Sequence, residues 1–246
     1  MPLPPPLRLA VWSGPRNVST AFMRSWGNRG DTRVVDEPFY GHYLAVTGAD
    51  HPGREEVIAH QECDWRKVAA HLHAPLPAGT RVFYQKQMSH HLLPNMGREW
   101  LAGLTHAFLI RNPRDMLLSL DERLDEFALP DTGLPQQVEI FDSMRRQTGS
   151  VPLVIDSKDL LAHPEAFLRK VCERLSLPFT ERMLSWPAGR RETDGIWAKH
   201  WYDQVEQSTG FAPYRPKTGD LPAHLESLER ECRPYYEQLY AHRLTA

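Results

Sequence analysis

Cysteine, net charge and long apolar runs are what this chain has least of. Cys63, Cys172 and Cys232 are its three cysteines, odd in number, far apart and without a Cys-x-x-Cys spacing. That usage argues against a disulfide framework or a structural zinc and fits a reducing cytoplasm. Twenty-nine Lys and Arg balance 31 Asp and Glu, for a net charge of −2. No global field therefore gathers nucleic acid or an anionic membrane, neither is an expected partner, and any anion binding must be local. No stretch approaches the apolar length of a membrane-spanning helix, and Met1-Pro-Leu-Pro-Pro-Pro-Leu7 has neither the basic start nor the apolar run of a secretory signal. Residues 1–6 are expected to fray. The 21 prolines are scattered as element punctuation, so neither a linker nor a repeat is expected. His71, His73 and the His90-His91 pair have no carboxylate or cysteine at a supporting spacing, and no metal is expected.

At 246 residues and 41% hydrophobic, the chain has the length of one α/β domain with a substantial core, and the whole chain is read as one domain. Its organising stretch is Trp12-Ser-Gly-Pro-Arg-Asn-Val-Ser-Thr20. Leu7–Trp12 reads as a short buried strand, Gly14-Pro15 breaks it, and Asn17 is placed to cap a helix from near Val18. Free amides at a helix start, the Ser19 and Thr20 hydroxyls and the Arg16 guanidinium together make a phosphate cradle. The competing reading is an ordinary capped helix start.

Further along, Val18, Ala21, Phe22, Ser25 and Trp26 form one helical face that ends near Gly30. Arg33–Glu37 reads as a strand stopped by Pro38, which puts Asp36 and Glu37 at its C-terminal edge. Residues 53–74 look helical. Arg81–Lys86 and Thr105–Ile110 are further strands, with Lys86 at the edge of the first. After the second, Asn112 caps and Pro113 opens a helix, so Arg111 lies over the strand end and Ser119 about two turns in. Val151–Ile155 is the fifth strand, and the segment from His163 to Leu175 is amphipathic. Strands alternating with helices predict a three-layer α/β fold around a parallel sheet of about five strands, with ligands beyond the carboxyl ends. From residue 179 onward, helical pieces rich in aromatics, Trp197 and Trp201 among them, read as a roof over the site, closed by a helix over about 219–243.

Arg16, Ser19 and Thr20 at one strand end, with Arg111 and Ser119 at another, make two anion pockets on one edge. This pattern resembles the sulfotransferase family and its P-loop-like fold. There the first loop holds the 5′-phosphosulfate of 3′-phosphoadenosine 5′-phosphosulfate (PAPS), and an Arg with a Ser eight residues later holds the 3′-phosphate. The resemblance assigns Pro15, Arg16, Asn17, Val18, Ser19, Thr20, Lys86, Arg111 and Ser119 to PAPS. The family loop Pro-Lys-Ser-Gly-Thr-Thr is here Pro15-Arg-Asn-Val-Ser-Thr20. A closer likeness is to the group labelled branched-chain aminotransferase-like, through Trp12–Arg16, Asp36–Pro38, Leu109–Pro113, Val154–Asp156, Asp194–Trp197 and Ser208–Phe211. Nothing around Lys86, Lys158 or Lys199 marks a Schiff-base lysine, so no pyridoxal cofactor is expected.

What the resemblance implies is transfer of a sulfuryl group to a hydroxyl or amine of a small acceptor. Glu37, in a Glu-Pro phrase that one branch of the family uses for its proposed base, is the candidate base. In another branch the base is a histidine two residues beyond a strand-end lysine, where this chain has Met88, so His90 is the fallback. Arg16 stands for the catalytic cation. Two rivals stay open: a magnesium-dependent kinase or nucleotide hydrolase reading Val34–Glu37 as a metal-binding strand end, and a nucleotide-binding module without chemistry. Against the first, the loop lacks Gly-x-x-x-x-Gly-Lys-Ser/Thr.

Overall fold

The computed structural model describes residues 5–124 and 126–245; of the tail expected to fray, residues 1–4 lie outside the described residues. Among the described residues β1 (Leu7–Ser13), β2 (Thr32–Asp36), β3 (Val82–Met88), β4 (Thr105–Ile110) and β5 (Leu153–Asp156) form one all-parallel sheet in the order β2-β3-β1-β4-β5. The helices are α1 (Ser19–Gly27), α2 (Tyr40–Thr47), α3 (Arg54–His60), α4 (Trp65–Leu72), α5 (Pro113–Asp121), α6 (Leu134–Thr148), α7 (Ser157–Ala162), α8 (Pro164–Arg174), α9 (Ala198–Trp201), α10 (Asp203–Glu206) and α11 (Ala223–Tyr240).

Residue alternation along β1 divides the core between the two faces of the sheet. Leu9 and Val11 pack with Phe22 and Trp26 of α1, Tyr84 of β3 and Phe167 of α8. Ala10 and Trp12 pack on the opposite face with Phe108, with Phe141 of α6 and with Leu239 of α11. The rings of Phe22, Trp26 and Tyr84 lie 5.9 to 6.1 Å apart, and losing one such buried ring costs about 3–5 kcal/mol. Both faces are therefore covered, and ligands are left the carboxyl edge.

Local chemistry explains most element ends. Asn112 accepts from the Arg114 amide at 3.1 Å with Pro113 at the first helical position, so α5 begins where expected. The expected cap at Asn17 is not made. Its side-chain amide donates to the Leu109 carbonyl at 2.8 Å, and α1 starts at Ser19 without a side-chain cap and stops at Gly27, short of Gly30. Residues 53–74 form two helices rather than one, because Asp64 caps a new start at the Arg66 amide, 2.9 Å away. β3 runs past Lys86 to Met88, which moves Lys86 from the strand's edge into a buried position. The closing helix is shorter than expected and carries Pro234 inside it.

Two helices without a counterpart in the sequence reading bear on the site. α2 follows Glu37-Pro38 directly. α6 is bounded by left-handed Gly133 and Gly149, and its buried Gln137 donates to the carbonyls of Trp12 at 2.9 Å and Leu109 at 3.1 Å. Gln137 and Asn17 thus tie the ends of β1 and β4 together.

Candidate active site

The strand ends lie nearly flush. Val11 pairs with Lys86 and with Ala107, while Asp36 pairs with Lys86 on the other side of β3. Their following loops open on one cavity of about 1080 Å³, which reaches Pro15, Arg16, Asn17, Val18, Ser19, Thr20, Glu37, Lys86, His90, Arg111 and Ser119. The structure brings every sequence-predicted site residue to this one cavity.

One half of the cavity is built by the loop after β1 and by α5. Arg16 adopts a left-handed conformation, φ 56°, unusual for a residue with a Cβ and common at functional turns. That conformation presents its carbonyl to Arg111 Nη1 at 2.6 Å and its Nε to Ser119 Oγ at 3.1 Å. Ser119 therefore contacts Arg16 directly, and Arg111 reaches the loop backbone. Among the described residues no carboxylate pairs with either guanidinium within 4.0 Å. Burial, followed by the charges of Arg123 and Arg111, pulls Arg16 below its ordinary value; burial also lowers Arg111, against the opposing pull of Asp115. Two crowded, partly desolvated cations on one cavity wall gain most from an anion bound between them. Gly14 is required just before them, since a Cβ there would run into the Thr132 carbonyl.

The other half is a buried ion cluster. Lys86 Nζ donates to Asp36 Oδ1 at 3.0 Å, to Glu37 Oε1 at 2.6 Å and to Tyr202 OH at 2.6 Å, and Tyr202 OH donates to Asp36 Oδ2 at 2.6 Å. Lys86, Asp36 and Tyr202 are all buried, whereas the Glu37 side chain keeps 12% exposure and reaches the cavity. Burial raises the Glu37 carboxyl above the usual range, partly offset by Lys86; the two carboxylates carry Lys86 well above its ordinary value despite its own burial. Glu37 is the second non-glycine in the left-handed region, φ 40°. Its amide is anchored on the Lys86 carbonyl at 3.0 Å, and its own carbonyl accepts from Gln61 at 2.9 Å.

His90 lies in the short turn Ser89–His91, among Tyr43 at 5.2 Å and His91 at 4.4 Å. Burial pushes it down to about 3, so the ring is neutral and a weak proton acceptor. His91 stacks on Tyr40, 4.8 Å and 7° between planes. Trp201 also lines the cavity; Trp197 does not, being packed edge-on against Tyr40 in the core at 5.2 Å. Gln137 and Gln61 are the residues sequence reasoning missed; Tyr202 belongs to the aromatic stretch expected as a roof, but its place in the ion cluster was not expected. Among the described residues no group of three or more His, Cys, Asp or Glu is arranged to hold a metal ion.

Fold and cavity together define a class: a P-loop-like α/β protein with a cavity beyond the strand ends, cations on one wall and a shielded carboxylate on the other. A family model described as sulfotransferase domain matches residues 7–243, and the chain belongs to that family. It is 38% identical over 234 residues to branched-chain-amino-acid aminotransferase-like protein 1 of Arabidopsis thaliana, and 35% identical over 232 residues to the second protein of that name. Each match takes in 94% of this chain and 41% of the relative, so the chain spans about two fifths of their length. Among solved structures, a sulfotransferase from Alicyclobacillus acidocaldarius superposes with a TM-score of 0.56 at 14% identity, covering 98% of each chain. The sulfotransferase domain from the curacin biosynthetic pathway gives 0.53 at 15% identity, over 99% of this chain and 100% of that one. These two share the fold.

Proposed function

We propose that this sulfotransferase-family domain moves a sulfuryl group from PAPS to a hydroxyl or amine of a small acceptor, releasing adenosine 3′,5′-bisphosphate. The observation that carries the reading is the clasp between the β1 and β4 ends. Arg16 and Arg111, tied by the bond from Arg111 to the Arg16 carbonyl and with Ser119 accepting from Arg16 Nε, face the same cavity as Glu37. A nucleotide with phosphate at both ends fits two adjoining cations, Arg16 and Arg111, on one edge. In this reading the loop amides with Arg16, Ser19 and Thr20 take the 5′ end, and Arg111 with Ser119 takes the 3′-phosphate.

Glu37 is the base. The acceptor's lone pair attacks sulfur, the bond from sulfur to the 5′-phosphate oxygen breaks, and the electron pair goes to that phosphate, where Arg16 and the α1 amides meet its growing charge. The acceptor proton passes to Glu37, whose carboxylate is kept charged by Lys86 and made more basic by burial. His90, neutral and pushed down to about 3, suits a wall better than a base. Asp36, with Lys86 on one oxygen and Tyr202 on the other, is already engaged, which weighs against a magnesium-binding role.

Titration calorimetry tests the reading. Binding of adenosine 3′,5′-bisphosphate that is tight and independent of magnesium is the expected result. Binding of ATP that requires magnesium, with none of the bisphosphate, overturns it in favour of a kinase-like site.

A further inference from the structure

Tyr202 belongs to neither the sheet nor its flanking helices. It lies between α9 and α10, 166 residues from Asp36 in sequence, yet its hydroxyl sits at the centre of the buried ion cluster. That hydroxyl accepts from Lys86 and donates to Asp36, both at 2.6 Å, and the Lys86 ammonium lies 4.9 Å from the Tyr202 ring centre. Lys86 thus spends its three protons on Tyr202, Asp36 and Glu37, one each. The segment that delivers Tyr202 is itself pinned to the domain. Asp194 forms a two-pronged buried pair with Arg24 of α1 at 2.6 and 2.7 Å, and the Gly195 amide approaches Asp36 Oδ2 at 3.4 Å.

We propose that Tyr202 is a positioning residue: its hydroxyl, carried in by the segment 194–206, fixes Lys86 against Glu37, so that the base is assembled only while this segment is docked on the sheet edge. This rests on Glu37 being the base. The groups facing Glu37 are Lys86 from β3, Asp36 from β2, Tyr202 from the roof and Tyr40 from α2. Without the hydroxyl, the second oxygen of Asp36 keeps only the long contact from the Gly195 amide at 3.4 Å, and Lys86 lacks an acceptor. The ammonium then swings to bridge both oxygens of Asp36, its nearest fully buried counter-ion, and leaves Glu37. A carboxylate deprived of its cation binds a proton more readily.

The test is the protonation of Glu37 itself, read by NMR in protein carrying 13C-labelled glutamate carboxyls, with Glu37→Gln identifying the signal. Tyr202→Phe is expected to raise the Glu37 midpoint by at least about 0.5 pH unit, and to move the acid limb of the pH–rate profile for bisphosphate release from PAPS by the same amount. A midpoint that stays put or falls overturns the proposal. If the variant does not fold, hydrogen exchange in the otherwise unaltered chain decides. Glu37→Gln keeps a weaker acceptor for Lys86 and should change exchange across 198–206 at least threefold, with α11 unaffected; no change there overturns the coupling. Failure of PAPS or the bisphosphate to bind the parent protein counts against the proposed function alone, since the Glu37 midpoint is measured without either.

Discussion

Arg16 and Ser119 meet at 3.1 Å across 103 residues of sequence, and the contact joins the loop after the central strand to the second turn of α5. It makes two anion anchors one mechanical unit. Ser119→Ala should therefore weaken adenosine 3′,5′-bisphosphate about tenfold, the worth of one hydrogen bond to a charged group. Arg111→Ala, which removes a guanidinium and the tie to the Arg16 carbonyl, should weaken it about a hundredfold or more. Calorimetry on the two variants, with thermal melts to show that each is folded, checks the order.

Glu37→Gln should leave bisphosphate affinity within a few-fold of the parent and abolish transfer. The pH dependence has a definite sign. A base must be unprotonated, and burial raises Glu37 above the ordinary carboxylate range, so the rate should fall with decreasing pH at a higher pH than for an exposed glutamate. Rates across pH 4–8 with PAPS and a panel of hydroxyl and amine acceptors show the limb.

Acid should destabilise the protein from the ordinary histidine range downward. His90 is pushed down to about 3 and His106 to about 4, both mainly by burial; His106 also accepts from Trp12 Nε1 at 3.0 Å, which fixes its neutral tautomer. The unfolded chain protonates both near 6.5 while the folded chain does not. Their contribution is complete above that pH and is lost as pH falls toward the folded values, by about 1.4 kcal/mol per pH unit for each ring. Urea titrations at several pH values should give that slope, and His90→Gln should make it shallower by one ring's share.

Breaking the Arg24–Asp194 pair should be costly, because both side chains are almost wholly buried, 3% and 0% exposed. Asp194→Asn leaves a buried guanidinium uncompensated, for an expected loss of about 3–5 kcal/mol. The segment 191–202 should then exchange its amides faster, as hydrogen-exchange mass spectrometry would record.

What the sequence revealed was chiefly what neighbours in sequence decide. Asn112-Pro113 announces the start of α5, and the short continuous apolar runs of β1 and β4 announce two strands buried on both faces. Asn17 deceived because the same amide serves as a helix cap or as a cross-link, and the Leu109 carbonyl that claims it is 92 residues away. Lys86 reads as the carboxyl end of its strand; its burial comes from two further strand residues and from the register that sets it beside Asp36. α6 did carry a signal, with Gly133 and Pro135 at its start and Gly149 past its end. Tyr202 carried none, since a tyrosine in an aromatic-rich tail gives no hint that its hydroxyl completes a cluster on the first half of the chain.

The strand order also sorts the site by inheritance. β1 lies between β3 and β4, so the arginine clasp belongs to the β1–β4 flank and the carboxylate cluster to the β2–β3 flank, with the central strand between them. Substitutions that reshape the carboxylate flank leave the clasp's own contacts intact. In the proposed reading the base lies on one side of β1 and the grip on the donor on the other, so the two sides of the reaction can be altered separately.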